Sequence, residues 1–124
     1  MMTKLEVAKW LSERNDFCIL THRKPDGDTI GSSAALCRIL RKMGKTAHII
    51  RNAEVSDRFA WLHEGLTKEE AAEGDTIVTV DVASPGMLPK DFEKYLGCIA
   101  LRIDHHASAT CFTENVLVDS SAGA

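Results

Sequence analysis

Three short apolar runs in this 124-residue sequence each end in side chains that commonly bind metal ions. The three runs are residues 17–21, 76–80 and 98–103. Continuous apolar runs of this length are typical of strands that are buried on both faces of a parallel sheet. The first run is followed by the polar stretch 22–28, the second by Asp81 and the third by residues 104–106. Because buried acids and imidazoles need partners, these three endings constrain both the fold and the function.

Helical spacing of apolar residues accounts for much of the sequence between these runs. It predicts one helix over residues 3–14 and a second from about Ile30 to Gly44, with Asp28 or Thr29 as its N-terminal cap. Further predicted elements are a strand at 46–50, short helices at 56–64 and 90–96, a helical piece or turn at 68–73, a loop at 84–86 and a strand at 114–119, at an edge. This alternation predicts an α/β fold, with a mostly parallel β-sheet and helices on both faces.

The composition favours a single domain and a reduced, cytoplasmic protein. The length and the 44% hydrophobic content suit one core, and the net charge of -3 gives no basic field for nonspecific nucleic-acid binding. A basic cluster between Arg38 and Arg51 is interpreted as a solvated helix face. The four cysteines form no C-x-x-C pair, no signal peptide is visible, and Cys18 and Cys98 are predicted to be buried thiols. No apolar run reaches the roughly 18 residues that span a membrane.

The carboxyl ends of parallel strands meet at one edge of a sheet, where open α/β sheets bind their ligands. The predicted topology would therefore bring together four carboxylates and three imidazoles. These are His22, Asp26, Asp28, Asp81, Asp104, His105 and His106. Such carboxylates repel one another unless dications compensate them, and mixed ligation of this kind suits manganese, iron or zinc better than calcium. We expect two ions about 3.5–4 Å apart, which can activate water and stabilise a phosphoryl group under attack.

Each polar stretch also has a simpler interpretation when it is taken alone. Residues 26–28 could form a turn with a helix cap, His22 could be a hydrogen-bonded histidine at a strand end, and Asp81 could cap a strand. Their shared position at strand ends favours a common site. His48 and His63 lack such neighbours, and both are interpreted as structural or solvated.

The polar stretches also occur in the order of a known protein family. The matching motifs are Thr-His-Arg-Lys-Pro-Asp-Gly-Asp-Thr-Ile-Gly-Ser at 21–32, Val-Asp at 80–81 and Asp-His-His at 104–106. This combination resembles the DHH phosphoesterases over most of the chain. The resemblance implies a Rossmann-like α/β catalytic domain that holds two Mn²⁺ ions, with Mg²⁺ or Co²⁺ as alternatives.

Carried over by motif, the resemblance implies a metal-binding role for five residues. His22 and Asp26 would bind the first ion. Asp28 and His105 would bind the second ion, and Asp81 would bridge the two.

The resemblance also implies two catalytic roles. His106 would contact the scissile phosphate, and Asp104 would orient an imidazole. The nucleophile would be a hydroxide that the two ions activate.

Within the family, the His-x-x-Pro-Asp-Gly-Asp form at 22–28 is most similar to the branch of bifunctional oligoribonucleases that also remove a phosphate from pAp. The implied function is hydrolysis of phosphodiester or phosphomonoester bonds in short oligoribonucleotides or such nucleotides, without a membrane partner. The full-length enzyme could be a homodimer. Pyrophosphatases, polyphosphatases and cyclic-dinucleotide phosphodiesterases share the core motifs. A noncatalytic nucleotide- or metal-binding module and a structural or interaction domain also remain open.

Two parts of the family's pattern do not occur in this sequence. They are a fourth-motif aspartate that completes the second ion's ligands and a second domain with a Gly-rich substrate-binding motif. Asp119 is not a convincing substitute because it ends the predicted edge strand. We therefore expect residues 1–124 to be a partial DHH domain, incomplete at its C-terminus. We expect it to bind the first ion better than the second and to be weakly active or inactive.

Overall fold

A parallel sheet forms the centre of the computed structural model, which describes residues 2–104 and 116–118. The strands in these ranges are β1 Phe17–Leu20, β2 Ala47–Ile50, β3 Thr67–Lys68, β4 Thr76–Val80, β5 Ile99–Asp104 and β6 Val116–Val118. Their order is β3-β2-β1-β4-β5-β6, and every pairing is parallel. The predicted α/β class and parallel sheet are confirmed, and the predicted last strand lies at the sheet edge.

Helical elements connect these strands. The α-helices are α1 Lys4–Ser12 and α2 Gly27–Lys42, and 3-10 helices span Ala60–His63, Pro85–Met87 and Lys90–Cys98. Helix α1 begins with a capping box, in which the Thr3 hydroxyl accepts from the Glu6 N–H and the Glu6 carboxylate accepts from the Thr3 N–H. Helix α2 begins at the Asp26 N-cap, and Gly44, at φ +82°, follows its C-terminal end.

Both faces of the sheet are covered by apolar side chains. One core combines strand residues such as Ile19 and Val78 with Leu11 of α1 and Leu40 of α2. The opposite core places the other faces of the same strands against the 3-10 segment at 90–98. Because successive strand side chains alternate between the faces, burial on both faces requires a continuous apolar run.

Helix α2 starts earlier than the sequence predicted. Asp26, and not Asp28 or Thr29, is the N-cap, because its backbone is extended and its carboxylate accepts from the Thr29 N–H at 3.0 Å. Asp28 lies within the first turn, where a carboxylate interacts favourably with the helix dipole.

Other local predictions differ where tertiary pairing or short turns decide the structure. The predicted helical piece at 68–73 is wrong at its start, since Thr67–Lys68 pairs with β2 as a short strand, and a turn occurs only at 73–74. The loop predicted at 84–86 contains the 3-10 turn Pro85–Met87. The last strand is described only over Val116–Val118, so the remaining residues predicted for it lie outside the described ranges.

The two cysteines predicted to be buried behave differently. Cys98 is exposed, because it ends the 3-10 segment and precedes β5. Cys18 is buried in β1 and donates to Asp75 Oδ2 at 3.1 Å. Burial is the largest cause that raises the pKa of the Cys18 thiol to about 12, so this thiol is not a nucleophile at neutral pH.

His63 is a buried structural histidine. It is 5% exposed, and its Nε2 lies 2.9 Å from Ser33 Oγ and 3.2 Å from the carbonyl oxygen of Ile30. The carbonyl can only accept, so Nε2 carries the proton in the neutral ring. Burial lowers the pKa of His63 below its ordinary value of 6.5, although the hydrogen bond to Ile30 opposes this shift. The contact ties the 3-10 turn Ala60–His63 to helix α2.

The lowered pKa of His63 predicts a loss of stability in mild acid. Below pH 6.5 the unfolded chain protonates this ring before the folded chain does, so the contribution of His63 to the free energy of unfolding decreases as the pH falls. Substitution His63→Gln keeps a donor for Ile30 but does not titrate. Urea denaturation at pH 7.5 and 5.5 should show a smaller loss of stability for the variant than for wild type. An equal loss in both proteins would contradict this assignment.

Candidate metal centre

The loop after β1 presents His22 toward the carboxyl edge of the sheet. His22 is 7% exposed, and its Nδ1 lies 2.7 Å from the carbonyl oxygen of Arg23. Because this carbonyl can only accept, Nδ1 carries the proton in the neutral ring and Nε2 keeps a free lone pair. A backbone carbonyl that fixes the ring in this way is a common support for a metal-binding histidine.

Asp26 approaches the same ring from the start of helix α2. Its Oδ1 lies 3.8 Å from His22 Nε2 and accepts the Thr29 N–H, while its side chain is 64% exposed. The N-cap hydrogen bond fixes the carboxylate, and the positive end of the helix favours its charge.

Asp81 approaches the ring from the end of β4. Its Oδ2 lies 3.6 Å from His22 Nε2, and the residue is 4% exposed. Its backbone has a φ of +62°, a left-handed conformation that is uncommon for a residue other than glycine. Its N–H donates to the carbonyl oxygen of Ile103 at 2.9 Å, which ties the end of β4 to β5.

These three side chains form a possible ligand set for a metal ion. One ligand atom from each of His22, Asp26 and Asp81 lies within 4.8 Å of the others. The imidazole lone pair and two carboxylates face one another, and such an arrangement needs a proton or a cation between them. Mixed nitrogen and oxygen donors fit Mn²⁺, Fe²⁺ or Zn²⁺.

The electrostatics of His22 show the same demand for positive charge. The Asp81 carboxylate, acting as a hydrogen-bond acceptor toward the ring, is the largest cause that raises the pKa of His22 above 6.5. Burial of the ring opposes this shift, and Asp26 adds to it. A proton therefore binds where a cation is expected to bind.

The remaining predicted site residues are placed differently. Asp28 is exposed in the first turn of α2 and is not part of the three-residue cluster. Asp104 is buried at the end of β5, where its Oδ2 accepts from Arg102 at 2.8 Å. His105 and His106 lie outside the described residues.

Two residues near the site were not identified in the sequence. Asn52 follows β2 and is 6% exposed, and its amide donates to Thr21 Oγ1 and to the His22 carbonyl oxygen at 3.0 Å each. Arg102 is a fully buried charge in β5. The sequence does carry a signal for each. Asn52 is a polar residue just beyond the end of a predicted strand, and Arg102 is a charged residue inside an apolar run.

Substitution Asp81→Asn tests the ligand set. Asn tolerates a positive φ, so the fold should be kept while one charged ligand is lost. We expect the Mn²⁺ affinity to fall by more than about tenfold, the minimum loss that removal of even a supporting residue typically causes. Isothermal titration calorimetry measures this change. Asp57→Asn, at an exposed carboxylate, is the matched control and should bind Mn²⁺ like wild type. Equal affinity in both variants would exclude Asp81 as a ligand.

Substitution Asn52→Ala should destabilise the loop that carries His22. It leaves the buried Thr21 hydroxyl and the His22 carbonyl without this donor, which costs about 1–3 kcal/mol. Thermal denaturation followed by circular dichroism measures the loss. Asn15→Ala removes an exposed hydrogen bond to the Thr46 N–H and should cost less. A larger effect at Asn15 would contradict the proposed support of the loop by Asn52.

Comparisons with known proteins agree with the fold. The bifunctional oligoribonuclease and PAP phosphatase NrnA of Thermus thermophilus is 34% identical over 109 residues, which cover 86% of this chain and 32% of that protein. The protein of the same name from Bacillus subtilis is 26% identical over 121 residues, which cover 96% of this chain and 38% of that protein. The chain thus spans about a third of the length of these relatives.

A solved structure and a family pattern extend the comparison. The crystal structure of an exopolyphosphatase-related protein from Bacteroides fragilis matches with a TM-score of 0.76 at 21% identity, over 98% of this chain and 42% of that one. At this identity the likeness shows the fold alone. The pattern of the DHH family, N-terminal domain, matches residues 16–123. The chain therefore belongs to the DHH family.

Proposed function

We propose that this chain carries the metal-binding part of a phosphoesterase that hydrolyses short oligoribonucleotides or nucleotides such as pAp. The observation that carries this proposal is the cluster of His22, Asp26 and Asp81 at the carboxyl edge of a parallel sheet. Membership of the DHH family and 34% identity to a bifunctional oligoribonuclease and PAP phosphatase support the choice of substrate.

Each residue of the cluster has a defined task in this proposal. His22 offers Nε2 because Nδ1 is held by the Arg23 carbonyl. Asp26 offers a carboxylate that the start of α2 fixes, and Asp81 offers a buried carboxylate from the end of β4. Mn²⁺ bound by these donors would supply Lewis-acid activation of water and neutralise charge on the phosphoryl group.

We propose that a second ion uses Asp28 and His105, with Asp81 shared between the two ions. Asp28 is exposed and available for such a contact in the first turn of α2. Further proposed roles are contact with the scissile phosphate for His106 and orientation of an imidazole for Asp104. The buried hydrogen bond from Arg102 gives Asp104 a fixed direction for that task.

The proposed function predicts Mn²⁺-dependent hydrolysis that requires Asp81. A short RNA, pAp and pyrophosphate are incubated with the chain at high protein concentration, so that slow turnover is measurable. We expect cleavage of the RNA and of pAp in preference to pyrophosphate. Asp81→Ala should lower the rate by a factor of at least about 100, because a typical loss of metal affinity or activity from a supporting residue alone is 10–100-fold.

Three outcomes would contradict parts of this proposal. Hydrolysis of pyrophosphate alone would favour the pyrophosphatase alternative. Unchanged rates in Asp81→Ala would exclude the proposed site. Stoichiometric Mn²⁺ binding without hydrolysis of any substrate would contradict the expected slow turnover of residues 1–124 but not the metal site. Asp57→Asn serves again as the control for the loss of a carboxylate elsewhere.

A further inference from the structure

Arg102 places a full positive charge inside the sheet. Its side chain and that of Asp104 are both 0% exposed, and the two residues lie on the same face of β5. Arg102 Nη2 donates to Asp104 Oδ2 at 2.8 Å, and Arg102 Nε donates to the carbonyl oxygen of Val82 at 3.1 Å. The guanidinium therefore links the end of β5 to the segment after β4.

Stability alone is a weak explanation for this arrangement. Removing two charges from water costs several kcal/mol per ion, and well-packed apolar residues often replace a buried ion pair without loss. A buried pair of this kind is better explained by the geometry that it imposes. The hydrogen bond from Arg102 to the Val82 carbonyl, next to the proposed metal ligand Asp81, indicates that this geometry is the backbone conformation at the end of β4.

Val82, whose carbonyl oxygen accepts this hydrogen bond, is the residue after Asp81, and Asp81 has the left-handed backbone. A non-glycine residue in this conformation costs on the order of 1 kcal/mol and persists only where its surroundings hold it. Two hydrogen bonds to β5 do so here. One joins the Asp81 N–H to the Ile103 carbonyl oxygen at 2.9 Å, and the other joins Arg102 Nε to the Val82 carbonyl oxygen. The first fixes the peptide group that precedes the Asp81 Cα, and the second fixes the carbonyl group of the next residue, Val82.

We propose that Arg102 is a positioning residue for the metal centre, which directs the Asp81 carboxylate toward His22 through its hydrogen bond to the Val82 carbonyl. The inference rests on the proposed function, since it concerns the same metal ligand. Asp104 anchors the far end of the guanidinium and so fixes the position of Nε. The competing explanation is that Arg102 serves only as the charge partner of Asp104.

Two substitutions separate the hydrogen bond of Arg102 to Val82 from its ion pair with Asp104. The amide nitrogen of Arg102→Gln has the same number of bonds from Cα as Arg Nε, so this variant keeps a donor for Val82 but loses the charge near Asp104. Arg102→Lys keeps the charge but has carbon at the Nε position, so it loses the donor for Val82. Arg38→Lys, at an exposed arginine of α2, is the matched control.

Mn²⁺ affinity by titration calorimetry and stability by urea denaturation are measured for all four proteins, under conditions where circular dichroism shows them folded. We expect Arg102→Lys to be the more stable variant but to bind Mn²⁺ at least about tenfold more weakly than wild type. Arg102→Gln should be the less stable variant and bind Mn²⁺ more tightly than Arg102→Lys. The two measurements thus rank the variants in opposite orders, and a role limited to charge compensation would rank them in the same order.

If only one of the two Arg102 variants folds, its Mn²⁺ affinity still tests the inference. A folded Arg102→Lys with wild-type affinity would overturn the inference, and so would a folded Arg102→Gln with an affinity reduced tenfold or more. Failure of the wild-type chain to bind Mn²⁺ would instead overturn the proposed function. A wild type that binds, and loses this binding in Asp81→Asn, keeps that function whatever the Arg102 variants show.

Discussion

The neighbouring position of β1 and β4 at the centre of the sheet is the constraint on which the site depends. From β1 the chain moves outward through β2 to β3, and it then returns to start β4 on the other side of β1. Such a reversal of strand order opens a crevice at the carboxyl edge, where doubly wound sheets bind ligands. The pairing of Leu20 with Thr79 sets the register, so His22 and Asp81 leave the sheet at nearly the same level. Their contact at 3.6 Å is therefore a consequence of strand order and register.

The strands could be predicted from the sequence because burial on both faces of the sheet requires apolar runs. Four predicted strands match β1, β2, β4 and β5 within one residue at each end, because only continuous apolar runs can fill both cores. The short strand β3 was missed. Thr67 and Lys68 are only two residues, with one exposed and one half-buried, and their strand conformation comes from pairing with Ile49 and Ile50. Neither periodicity nor apolar content reports such a pairing, since the information lies in the partner strand.

The site was partly predictable for a related reason. The rule that polar residues after parallel strands converge identified His22, Asp26 and Asp81, which the structure brings together. The same rule applies to Asn52 after β2, whose position beyond the strand end is a signal, but its uncharged amide supports the loop through hydrogen bonds and is not a typical metal ligand. Arg102 lies within the apolar run at 98–103. The role that we propose for it depends on the left-handed backbone at Asp81, which no local sequence pattern indicates for a non-glycine residue. The sequence thus predicted the candidate ligands, whereas it did not predict the supporting positions of Asn52 and Arg102.

Asp26 shows how the folding of helix α2 and the chemistry of the site depend on each other. Its Oδ1 accepts the Thr29 N–H and also lies 3.8 Å from His22 Nε2, so one atom serves both the helix cap and the cluster. A second contact holds the helix start to the sheet, because the Thr29 hydroxyl donates to the Val80 carbonyl oxygen at 3.2 Å. Val80 immediately precedes Asp81. The first turn of α2 therefore fixes Asp26 directly, and it also contacts the end of β4, which carries Asp81. When this turn forms, both carboxylates come to lie near the imidazole of His22. A carboxylate at an N-cap is stabilised by the helix dipole, which offsets part of its repulsion from the second carboxylate before any cation binds.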